Sequence, residues 1–136
     1  MSHFKYFKEK LFIEKTSVLN IAKKNKTPFY LYSGKQIEEN YINFAKIFKA
    51  VDPLICFAAK ANTNLAIMKM LGKLGSGADV VSGGELLKAL KAGIRPDKIV
   101  FSGVGKTEEE LKLAIKKRIL LINVESESEA ILINEI

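Results

Sequence analysis

Leu54-Ile55-Cys56-Phe57-Ala58-Ala59-Lys60-Ala61-Asn62-Thr63-Asn64 is the stretch that decides the fold of this chain. Six apolar residues closed by polar and turn-forming ones read as a strand buried on both faces, the kind that parallel sheets contain. Lys60 follows directly, which places an amine where such a sheet opens toward a ligand. Burial disfavours the charged form of an amine, and a neutral amine attacks a carbonyl carbon to form a Schiff base. The competing reading is that Lys60 only snorkels from the strand end into water.

Outward from this stretch the same syntax recurs. Apolar strands are predicted at residues 54–59, 78–81, 99–101 and 120–124, each followed by a polar turn and a helix start. Three of those starts have capping-box form: Ser82-Gly83-Gly84-Glu85, Thr107-Glu108-Glu109-Glu110 and Ser126-Glu127-Ser128-Glu129. Leu86, Leu87 and Leu90 make one apolar helix stripe, and Leu111, Ala114 and Ile115 another. Upstream, Ser33-Gly34-Lys35-Gln36 is a further box, opening a helix whose stripe is Ile37, Tyr41, Phe44, Ala45 and Phe48.

Strands alternating with helices at this spacing predict parallel βαβ units, closed as a barrel or open as a doubly wound sheet. Lys60, Ser82, Ser102 and Ser126 all fall at or just past the C-terminal ends of successive strands, the face on which a (β/α)8 barrel builds its site. The fold class expected is therefore α/β, the first half of a (β/α)8 TIM-type barrel of four units, since a complete barrel needs about 250 residues. Residues 1–32 are expected to form an N-terminal arm with a strand at Phe29-Tyr30-Leu31-Tyr32 after a short helix within 17–26. Residues 33–136 are expected to be the partial barrel, cut before completion. Its open inner face is expected to expose Ile55, Val80, Val100 and Ile122, favouring self-association.

Composition bounds the partners. The 136 residues are 48% hydrophobic, ample for a globular core. Net charge is +7, but the lysines are scattered or gathered at helix ends, as at Lys116-Lys117-Arg118, so no nucleic-acid partner is expected. No apolar run suits a membrane span or signal peptide, and the single cysteine, Cys56, permits no internal disulfide. Both point to the cytoplasm. No metal site is read.

The motifs resemble the N-terminal part of diaminopimelate decarboxylases, pyridoxal-phosphate enzymes of the alanine-racemase-like barrel class. The blocks that carry the resemblance are Thr27-Pro28-Phe29-Tyr30-Leu31-Tyr32-Ser33, Phe57-Ala58-Ala59-Lys60-Ala61-Asn62-Thr63-Asn64, Gly77-Ala78-Asp79-Val80-Val81-Ser82-Gly83-Gly84-Glu85-Leu86, Phe101-Ser102-Gly103-Val104-Gly105-Lys106-Thr107 and Ile122-Asn123-Val124-Glu125-Ser126. The resemblance implies that pyridoxal 5'-phosphate is the cofactor and Lys60 the residue that holds it covalently. It implies decarboxylation of meso-diaminopimelate to L-lysine and carbon dioxide, a small amino-acid substrate, and a homodimer in the full-length protein. The alternatives are a decarboxylase of another basic amino acid or of carboxynorspermidine, or a non-catalytic half-barrel for binding or assembly.

Two acids are read as cofactor-binding candidates. Asp79 lies among Ala78, Val80 and Val81, where a carboxylate must be paired or protonated. The resemblance places it opposite Lys60 across adjacent strands; the alternative is an unrelated core donor. Glu85 fits the capping box with Ser82 completely, and a second role near Lys60 is the alternative. Asn62 and Asn64 either orient the turn after Lys60 or cap the next helix. Gly83-Gly84 at a helix start is rejected as the main phosphate cradle, because the family's glycine-rich phosphate loop lies beyond residue 136. So do its ring-stacking histidine, pyridine-nitrogen glutamate and substrate-side cysteine and tyrosine. Cys56 is read as barrel filling, and His3 as part of the arm.

Overall fold

The computed structural model describes residues 3–136. The chain forms two compact units, one ending at Ile47 and the other spanning Phe48–Ile136.

The first unit opens with a hairpin that the apolar pattern does not predict. Strands β1 (Phe4–Phe7), β2 (Lys10–Ile13) and β3 (Thr16–Ser17) pair antiparallel in that order. The β1–β2 turn is Lys8-Glu9, with φ of 47° and 61°. Two left-handed residues give the twist that a two-residue hairpin loop needs, although Asn-Gly is the usual choice. Helix α1 (Val18–Lys24) follows, then α2 (Gly34–Ile47). The box predicted for α2 is half made. Ser33 Oγ accepts the Gln36 amide at 3.1 Å, but the Gln36 side-chain oxygen accepts the His3 amide instead of turning back. Glu14 completes the cap, accepting the Ser33 hydroxyl at 2.8 Å and the Lys35 amide at 3.2 Å. These two bonds hold its carboxyl below the ordinary range. His3 Nε2 lies 2.9 Å from a Glu39 carboxylate oxygen. The strand expected at 29–32 does not form: the segment joins no ladder among the described residues, and Tyr30 and Tyr32 stack on each other at 6.4 Å.

The second unit is the predicted repeat. Strands β4 (Cys56–Ala58), β5 (Gly77–Val80), β6 (Ile99–Phe101) and β7 (Leu121–Ile122) make one parallel sheet in sequence order. They alternate with α3 (Leu65–Lys73), α4 (Gly83–Lys91), α5 (Glu108–Lys117) and α6 (Glu127–Glu135). Register sorts the side chains by period two. Ala78 aligns with Ile99 and Val80 with Phe101, and all four are fully buried with Met68, Leu86 and Ala114 from the helices. Ala58, Asp79 and Val100 align on the opposite face. The expected open face is thus corrected by one residue: Val80 is in the core and Ile122 packs against it, because alternation turns them toward the helices.

Gly77 is required where β5 enters the sheet. A Cβ there would lie 2.2 Å from the Lys98 carbonyl oxygen and 2.7 Å from Cys56 Sγ, so no side chain fits between β4 and the turn before β6. Cys56 sits half-buried in that gap with its thiol directed at the Lys98 carbonyl, 3.8 Å away. Burial pushes the thiol pKa up, the Asp79 charge adds to the rise, and Lys98 partly opposes it.

Candidate active site

The predicted polar residues gather at the C-terminal ends of the four strands. After β4 the chain enters one 3-10 turn, Ala59–Ala61, in which Ala59 is completely buried while Lys60 and Ala61 are exposed. The amine expected from sequence to be buried is thus exposed in this chain. Lys60 Nζ makes no hydrogen bond or ion pair among the described residues. Asn62 and Asn64 resolve toward local structure: Asn62 accepts the Asn64 amide at 3.0 Å, and Asn64 caps α3 by accepting the Ala66 amide at 2.9 Å.

Asp79 pairs in register with Ala58, two residues before Lys60. Its Oδ1 accepts the Ser102 hydroxyl at 2.6 Å, and Asn123 Nδ2 donates to that hydroxyl at 2.9 Å. Asp79 is half-buried, and no ion pair joins it to Lys60. Its Oδ2 has no donor among the described residues. The partner is thus neither Lys60 nor a core group but the ends of β6 and β7.

Glu85 is engaged in capping. Its amide donates to Ser82 Oγ at 3.2 Å, and its Oε2 accepts the Val81 amide at 2.9 Å, one residue earlier than a regular box would have it. The Gly83 amide at the start of α4 is already engaged. Glu110 reaches back from α5, and its Oε1 accepts the Gly83 amide at 2.7 Å while its Oε2 accepts the Thr107 amide at 3.0 Å. Those bonds, Gly83 first, hold the Glu110 carboxyl below the ordinary range. A carboxylate thus takes the first of the amides that this helix start could offer an anion.

Lys106 is the functional-looking residue that sequence reading passed over. Its side chain is 1% exposed, and Nζ donates to the Gly103 carbonyl at 2.7 Å, the Asn123 carbonyl at 2.7 Å and Glu129 Oε1 at 2.9 Å. All three hydrogens are used. Glu129 also accepts the Glu125 amide at 2.7 Å. Burial raises the Glu129 pKa, yet the Lys106 and Glu125 bonds together leave it lowered. The signal available in sequence was a lysine between Gly105 and the capping Thr107, within a loop otherwise made of small residues.

The chemistry of the donor set fits a pyridoxal group. One strand-end amine is left without an acceptor, a carboxylate on the adjoining strand keeps one oxygen free, and the other strand-end amine is consumed. Among the described residues no helix is long and apolar enough to cross a membrane.

Residues 34–136 match the family model for the pyridoxal binding domain of pyridoxal-dependent decarboxylases. The chain belongs to that family, whose cofactor is pyridoxal 5'-phosphate, and its four strand–helix units are part of a TIM-type barrel. It is 49% identical over 134 residues to the diaminopimelate decarboxylase of Aquifex aeolicus, covering 98% of this chain and 31% of that protein. Over 101 residues it is 56% identical to the Helicobacter pylori J99 enzyme of the same name, covering 74% and 25%. The crystal structure of diaminopimelate decarboxylase from M. jannaschii in co-complex with L-lysine superposes with a TM-score of 0.93 at 42% identity, over 97% of this chain and 32% of that one. The chain therefore spans about a third or less of the length of the relatives it matches.

Proposed function

We propose that this chain supplies the cofactor-lysine portion of a diaminopimelate decarboxylase, which converts meso-diaminopimelate to L-lysine and carbon dioxide. The observation that carries the reading is the contrast in availability at the strand ends: Lys60 is without an acceptor and Lys106 has three. The high identity to diaminopimelate decarboxylases along nearly the whole chain supports the substrate. Pyridoxal 5'-phosphate, when bound, supplies a conjugated sink for the electron pair left behind as the α-carboxylate departs. Lys60 Nζ holds the cofactor and afterwards holds a proton as ammonium. Asp79, on the neighbouring strand, offers Oδ2 as the counter-charge that steadies that ammonium. Glu85 serves the site only by fixing the β5–α4 junction.

In this reading residues 1–32 are an arm and 33–136 part of the cofactor barrel. The protein works in the cytoplasm as a homodimer on a small amino acid, without nucleic acid. The biosynthetic relatives support this picture, as does the finding that among the described residues no helix is long and apolar enough to cross a membrane.

The test is carbon dioxide release by the full-length protein from meso-diaminopimelate, L-ornithine and L-arginine with pyridoxal 5'-phosphate present. A preference for meso-diaminopimelate of at least about a hundredfold in kcat/KM is expected, the discrimination that polar recognition of the distal group readily provides. Faster release from ornithine or arginine would reassign the substrate, and release from none would leave a binding protein.

A further inference from the structure

The Asp79 carboxylate is held from the neighbouring strand ends. Ser102, just past β6, gives its hydroxyl hydrogen to Asp79 Oδ1 at 2.6 Å. A serine hydroxyl has one hydrogen and rotates freely to choose its acceptor. Here that choice is made from behind. Asn123 Nδ2 can only donate, and it donates to Ser102 Oγ at 2.9 Å, so the serine hydrogen is left for Asp79. Asn123 is itself tethered, because its carbonyl oxygen accepts from the buried Lys106 amine at 2.7 Å.

These side-chain bonds are not needed to join the strands. The backbone already does so, with the Ser102 amide on the Val80 carbonyl at 2.8 Å and the Asn123 amide on the Phe101 carbonyl at 2.8 Å. Neither side chain fills the core: Ser102 is half-buried and Asn123 exposed. What the chain of bonds does is aim one carboxylate. With Oδ1 occupied, Asp79 is restricted in rotation about its terminal bond, and Oδ2 stays free on the sheet face shared with Ala58, two residues before Lys60.

We infer that Ser102 is a positioning residue for the chemistry at Lys60, with Asn123 setting the direction of its hydroxyl so that Asp79 presents Oδ2 to the cation formed at Lys60. This rests on the reading of Asp79 as the counter-charge of Lys60.

The test uses the full-length protein and the variants Asp79→Ala, Ser102→Ala, Ser102→Thr, Asn123→Ala and the double variant Asp79→Ala/Ser102→Ala. Two quantities are measured: the rate at which cofactor-free protein takes up pyridoxal 5'-phosphate, followed by the absorbance of the bound cofactor, and kcat and KM separately. Ser102→Ala is expected to slow uptake and kcat about tenfold, the effect of losing one hydrogen bond to a charged group, with KM changed less than about twofold. Ser102→Thr keeps the hydroxyl and restores both rates, whereas Asn123→Ala gives a smaller loss of about threefold. In the Asp79→Ala background Ser102→Ala adds nothing, since the serine acts through the acid. Wild-type rates in Ser102→Ala, or a full additional loss in the double variant, would overturn the inference and leave the Asp79 reading intact. Wild-type rates in Asp79→Ala would overturn both. Asn123 is exposed, so its variant reports even where Ser102→Ala does not fold, and wild-type rates there would refute the directional role.

Discussion

Two lysines lie past the ends of strands in one sheet, and their surroundings could hardly differ more. The β4 end places Lys60 in a tight turn, where its amine makes no hydrogen bond or ion pair among the described residues. The loops after β6 and β7 converge on Lys106 with two carbonyls and a carboxylate, so its amine is spent on structure. Burial and availability are thus separate properties. The more buried amine has each of its hydrogens bound and its charge paired.

The largest expected effect breaks the contrast directly. Lys60→Ala should abolish covalent capture of pyridoxal 5'-phosphate and lower kcat by on the order of a thousandfold or more. Borohydride reduction of the wild-type protein with cofactor, followed by peptide mapping, should place the label on Lys60. A label on Lys106 would reverse the two roles. Next in size is Lys106→Met, which leaves Glu129 buried without its cation and should cost about 3 kcal/mol in urea unfolding. Adding Glu129→Gln should recover part of that loss, because no unpaired charge then remains inside. Cofactor labelling at Lys60 should persist in whatever fraction stays folded.

The acids that tie successive units together sharpen the contrast further. Glu110→Ala removes two amide acceptors from the α4 and α5 starts and should cost about 1 kcal/mol. The carboxyls of Glu110 and Glu129 lie lower in the folded protein than their ordinary values. Each therefore contributes stability that is present above the ordinary glutamate range and is lost as pH falls through the depressed folded value. The acid limb of unfolding against pH should be shallower in Glu110→Gln and in Glu129→Gln than in wild type. An unchanged limb in both would show that these bonds carry no net stability. The smallest effect is at Asn64, the α3 cap after Lys60: Asn64→Ala should cost roughly 1 kcal/mol or less, without changing the site of labelling.

The repeat was legible in sequence because local signals agreed there. The cap at Thr107 forms a full reciprocal box, and the apolar runs at 99–101 and 78–80 give buried strands. The hairpin at the start was not legible, since Phe4, Tyr6 and Phe7 are all exposed and its turn is Lys-Glu where Asn-Gly would have signalled it. Phe29 to Tyr32 has strand composition yet no ladder, because β propensity needs a neighbouring edge to act on. At the candidate site, Lys60 and Asp79 were singled out by their positions at the end of and within apolar strands. Their surroundings were not legible, because Lys60 lies in a turn of three residues and the partner of Asp79 is 23 positions away. Lys106 and Glu129 are equally far apart, and nothing local in either sequence context announces a pair.

The thiol wedged beside Gly77 gives this protein a clock. Cys56 is the single cysteine of these 136 residues, so alkylation mapped to its peptide reports on one address. Only the thiolate reacts, and burial and the Asp79 charge both hold the thiol protonated, so labelling of the closed sheet should be slow. Any parting of β4 from β5 would hydrate the sulfur and speed the reaction. The alkylation rate thus counts openings of the strand pair that carries Lys60 and Asp79, with no probe added. Neutralising Asp79 should speed it even in the closed sheet, which makes Cys56 a gauge of charge at a neighbouring position as well as of motion.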